Sequence, residues 1–125
     1  MKTKLLFTIL LSFVFYLLSS QIPQGFNYQA AARTEAGEPI KNVTLPVRIT
    51  IQTTSTGGTI LWQETHSVLT DPFGVMSFIV GSGTRIDGLT NFSDISWGSQ
   101  TLYIKTEIEY PVGTSYKDLG TTQIW

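Results

Sequence analysis

Apolar and polar residues alternate with a period of two along most of this chain, and that alternation limits the fold more than any other feature. Leu45–Gln52 shows it most clearly: Val47, Ile49 and Ile51 fall on one side, with Arg48, Thr50 and Gln52 on the other. Thr101–Glu109 repeats the pattern, with Leu102, Ile104, Thr106 and Ile108 against Tyr103, Lys105, Glu107 and Glu109. Successive side chains of a β-strand point to opposite faces, so each run reads as a strand with one face in a core. Gly25–Arg33, Ile60–Leu69, Val75–Val80 and Tyr116–Trp125 add four further runs. Gly, Pro, Asn and Asp separate them, as in Thr70-Asp71-Pro72-Phe73-Gly74, which reads as a hairpin turn. No helical period competes. Six or seven short strands at this spacing predict an all-β sandwich.

Two details refine the expectation. Pro46 cannot donate to a ladder, which places it at a strand's start or on an edge. Thr84–Ser99 reads as the longest irregular connection, with one helical turn at Asn91–Ile95. Its Ile86, Leu89, Phe92, Ile95 and Trp97 are too apolar for a free loop, so it is expected to cover an open end of the sandwich.

The first twenty residues belong to a different class. Lys2 and Lys4 precede a 14-residue apolar run, Leu5–Leu18, and Ser19-Ser20-Gln21 ends it. That order reads as a signal-peptide helix, cleaved after Ser20. The run is shorter than the roughly 20 residues of a bilayer-spanning helix. Contact with the membrane is therefore expected only through this transient segment. No cysteine follows it to carry a lipid. The expected domains are residues 1–20, the signal, and residues 21–125, the sandwich. Because Trp125 falls inside an apparent strand, the sandwich is expected to be truncated at its C-terminus or to pair with another chain.

The exported part has six basic residues against nine acidic ones, a net charge of about −3. With no basic cluster, nucleic acid and anionic membrane surfaces are poor partners. Zinc–thiolate sites and thiol redox chemistry are excluded, because the chain has no cysteine. No disulfide supplements the core, which must hold the fold through apolar burial.

Several stretches carry a resemblance: IPQGFNYQAAARTEAGEPIKN, LPVRITIQ, WQETHSVLTDPFGVMSFIVGSG, FSDISWGSQTLYIKTEI and LGTTQI. In this order they resemble an exported N-terminal β-domain family of Gram-negative bacteria that use type IX secretion. That resemblance implies a domain placed before tail-fibre-like, collagen-like or other surface regions, with no active site to carry over. AGEPIKNVTLPV and TDPFGVMSFIV are more loosely similar to transthyretin-like and carboxypeptidase-regulatory-like domains. This second likeness implies a prealbumin-like or Ig-like sandwich and no particular activity.

Few residues offer chemistry. Glu64 and the single histidine, His66, lie two apart with Trp62, so all three share one face of their strand. An acid, an imidazole and an aromatic ring can bind sugar or a metal, but the simpler expectation is an outward-facing or edge stripe. Tyr103 sits on the polar face of its strand and is the better surface aromatic. Trp97 is expected beneath the long connection, and Tyr110 on the face opposite Tyr103. Asp71, Asp87, Asp94 and Asp118 all fall near turns and are read as turn caps, since no clustered acid motif for calcium exists. Thr53–Thr59 reads as a flexible polar turn and Gly81-Ser82-Gly83 as the turn that ends a strand; neither Gly-rich piece has the Lys-Ser/Thr ending of a phosphate loop. No cofactor or metal is expected.

These readings favour a non-enzymatic exported structural, adhesion or surface-display module, in the periplasm, on the outer surface or outside the cell. Its expected partner is a downstream region of the same protein or another surface chain. A small glycan- or peptide-binding module using Trp62, Glu64, His66 and Tyr103 is the alternative, and an enzyme ranks third.

Overall fold

The structure is a computed structural model, and it describes residues 25–124. The expected signal segment, its cleavage site and Trp125 lie outside the described residues. Seven strands follow in order: β1 (Phe26–Ala31), β2 (Thr44–Thr54), β3 (Gly57–Leu69), β4 (Val75–Val80), β5 (Thr84–Gly88), β6 (Leu102–Glu109) and β7 (Tyr116–Ile124). They form an all-β sandwich of two antiparallel sheets. The small sheet is β1-β4, and the large one runs β5-β3-β2-β6-β7.

The clearest alternation in the sequence builds the centre. β2 lies between β3 and β6, and its Leu45, Val47, Ile49 and Ile51 are completely buried beneath the small sheet. Cross-strand pairing brings Ile104 and Ile108 beside Ile51 and Val47. Met76 and Val80 of β4 close the core from the other side. Each large aliphatic side chain moved from water into such a core contributes about 1.5–3 kcal/mol.

The chain changes sheet three times, after β1, after β3 and after β4. Thr70–Gly74 was expected to make a hairpin, but β3 pairs with β2 and β5, while β4 pairs with β1. The turn therefore carries the chain from one sheet to the other. Thr70, almost fully buried, anchors it: its N–H donates to Val43 O (2.9 Å) and its hydroxyl accepts from Val43 N–H (3.0 Å). Asp71 Oδ1 accepts from the N–H groups of Phe73 and Val75. That is the expected capping role. Gly81–Gly83 then returns the chain to the large sheet.

Two other expectations change. Thr84–Ser99 is not wholly irregular, since Thr84–Gly88 adds β5 to the sheet edge beside β3. The expected polar turn at Thr53–Thr59 is mostly strand, because β2 and β3 continue to Thr54 and Gly57. The short turn at Phe92–Asp94 falls where one was expected, although it is a 3-10 turn. Phe92 and Ile95 are buried there and cover that end of the sandwich. Pro46 pairs with β3 only, because the ladder to β6 begins at Val47.

Ile49→Asp should abolish cooperative unfolding, because an unpaired charge would sit at the centre of the core. A thermal melt matching that of the parent would show that this face of β2 is not the core face.

Candidate functional site

The three residues singled out on β3 do come together, but on the inner face. Trp62 and Glu64 are buried and the His66 side chain is 9% exposed, so the expectation of an outward or edge stripe is wrong. The physical reason is partnership. Glu64 has no solvent exposure, yet its carboxylate accepts four hydrogen bonds. Oε1 receives Trp62 Nε1–H (2.5 Å) and Gly81 N–H (2.8 Å). Oε2 receives Gly83 N–H (3.1 Å) and the His66 Nε2 group. A buried carboxylate is tolerable only when its lone pairs are satisfied in this way.

Gly83 completes the arrangement by being small. A Cβ there would come within 2.6 Å of Thr65 O and His66 Nε2, and 2.8 Å of Glu64 Oε2. The β4–β5 turn can therefore lie directly on the carboxylate. Aromatic rings seal the surroundings: Phe92 meets Trp62 edge-on at 5.4 Å, and Phe78 lies 4.7 Å from the His66 ring.

Tyr103 lies elsewhere. It pairs across to Gln52 on the outer face of the large sheet, where it is half-buried, so the structure does not join it to the other three. That outer face is better covered than its polarity implies. Thr50, Gln52 and Glu107 were read as outward residues; they do face outward but are buried. Arg48 makes a two-pronged bond to Glu107 (3.0 and 2.8 Å), and its guanidinium lies 4.4 Å over the Tyr116 ring. The Glu107 bond raises the Arg48 pKa above its ordinary value. Partial burial raises that of Tyr116, helped by the charge of Glu109.

Trp97 is packed edge-on against Phe26 at 5.9 Å but stays 40% exposed, so it is not beneath the connection as expected. Tyr110 is half-buried against the core. Asp87, Asp94 and Asp118 bond only to Gly88, Asn91 and Gly120 close by in the chain. Among the described residues, no group of three His, Asp or Glu side chains could hold a metal ion.

Two of the accessible concavities are grooves bordered by β7. One, of about 260 Å3, runs between β1 and β7. The other, of about 520 Å3, lies at the end of the sandwich away from Phe92, between Arg33–Gly37 and the β6–β7 turn. Neither was foreseen, because no local pattern marks a space formed by strands distant in sequence. The roles of Gly81 and Gly83 were also missed; the Gly-Ser-Gly run marked only a turn.

These features define a seven-stranded β-sandwich whose one acid–imidazole pair is built into its core. Residues 27–122 match a family described as a domain of unknown function (DUF8740), and the chain belongs to that family. Searches of curated proteins and of solved structures return no match.

Glu64→Ala should cost about 3–5 kcal/mol, because it leaves four buried donors without an acceptor. Guanidinium unfolding followed by tryptophan fluorescence measures this. A loss below about 1 kcal/mol would remove the carboxylate from its structural role.

Proposed function

We propose that this domain is a non-enzymatic exported module with a structural or adhesive role at the cell surface. The observation that carries the reading is the state of Glu64 and His66. A general acid or base must reach the proton it transfers on a bound substrate. Both oxygens of Glu64 are occupied by internal donors, and the group has no exposed surface. The pair serves the fold instead.

The export half of the proposal rests on Lys2, Lys4 and the Leu5–Leu18 run, together with the resemblance to exported domains of type IX-secreting bacteria. A glycan- or peptide-binding role is the second reading, and the two open grooves favour it. Trp62 does not serve that role, because its ring is buried.

Two measurements test the proposal. Intact-mass analysis of the exported protein should give a chain beginning at Gln21, whereas recovery of the uncleaved chain would count against export by this signal. Purified protein, screened against glycoside, ester and peptide substrates, should show no turnover that Glu64→Gln removes. Reproducible turnover lost in a still-folded Glu64→Gln protein would overturn the non-enzymatic reading.

A further inference from the structure

The small sheet stops at two strands while the large sheet has five, and β1 has a neighbour on one side only. Ala32 N–H donates to Gly74 O (2.7 Å), which sets the alternation along β1. The backbone groups of Phe26, Tyr28 and Ala30 then face β4, and those of Asn27, Gln29 and Ala31 face away. Among the described residues, these outward N–H and C=O groups have no strand partner. The 260 Å3 groove lies beside this open edge, with Tyr28, Ala30 and Ala31 of β1 on one side and Thr106 with Leu119 to Thr122 of the large sheet on the other. This trough along β1 shares Leu119 with the larger end groove, which it adjoins. The space above Gly120 is open, since a Cβ there would meet nothing within 4 Å.

We propose that this trough accepts an extended strand from a different polypeptide, which completes the small sheet by pairing with β1. The chemistry is specific to a backbone: unpaired peptide groups at strand spacing are matched by another strand. None of the residues lining the trough beside β1, from Tyr28, Ala30 and Ala31 to Thr106 and Leu119–Thr122, is charged, so the donated segment is uncharged, with small or apolar side chains at every second position. A second copy does not fit the same slot, because its β1 is backed by its own β4 and flanked by its own β7. The inference rests on reading the domain as a structural or adhesive module, and it names the partner class.

A strand supplied in cis tests the slot. The full chain is extended after Trp125 by a Gly/Ser linker and an alternating Thr/Val heptapeptide. A control carries the same heptapeptide with a central proline. The intact strand should raise the thermal midpoint by about 5 °C or more over the control. It should also slow amide exchange at Asn27, Gln29 and Ala31. Gln29→Ala should keep the effect, because recognition is through the backbone. Gln29→Pro should abolish it, since the ring removes an N–H on the free side and leaves the β4 ladder whole. Near-UV circular dichroism checks that Gln29→Pro folds; if it does not, the exchange data decide. Equal midpoints with no added protection would overturn the proposal. So would slow exchange at the same amides in the unextended chain together with a concentration-dependent dimer, which would assign the edge to a second copy. Failure of the slot would leave the turnover assays on Glu64→Gln to judge the non-enzymatic reading separately.

Discussion

The Glu64 carboxylate holds two parts of the molecule to one point. Trp62 and His66 lie on its own strand, while Gly81 and Gly83 belong to the turn that returns the chain from the small sheet to the large one. That turn is the last of three crossings between the sheets among the described residues, and the apolar core alone does not specify its path. Apolar contact is non-directional, whereas four N–H groups aimed at two oxygens admit one geometry. The carboxylate thus works as a locating device in a chain with no disulfide. The same bonds that make it tolerable in the core remove it from solution chemistry.

The sandwich is asymmetric, and each side handles its exposed surface differently. The outer face of the large sheet is shielded by long side chains: Arg48 reaches across to Glu107 and also covers the Tyr116 ring. Gln63 Nε2–H donates to Thr50 Oγ1 (2.9 Å), and both Thr50 and Gln52 are buried although they point away from the core. The small sheet has no such cover on β1. Its outward positions, Asn27, Gln29 and Ala31, are short or neutral, and no charged side chain guards that edge. Protected edges usually carry lysine, proline or a bulge. β7, across the trough, does have a bulge opposite Thr106 and Glu107.

The fold class was legible because period two is a local property. Val47, Ile49 and Ile51 needed no tertiary information to be assigned to a core, and all three are completely buried. The same rule placed Trp62, Glu64 and His66 on one face but not which face. A strand carrying Glu, His and Trp on one side and Leu61, Gln63 and Thr65 on the other is ambiguous by polarity. The choice is decided by Gly81 and Gly83, whose N–H groups satisfy the carboxylate from 17 and 19 residues away.

The sequence by itself determined six of the seven strands, the turn-capping aspartates and the aliphatic centre, because alternation and capping act over a few residues. It also determined that the core must stand without disulfides. Only the tertiary structure decided that five strands lie on one side and two on the other, and that Thr70–Gly74 is a crossing rather than a hairpin. It alone turned the acid–imidazole pair inward and left β1 open beside β7. The reason is common to all of these. Strand pairing and the satisfaction of a buried charge depend on groups far apart in the chain, and no local period encodes which of them will meet.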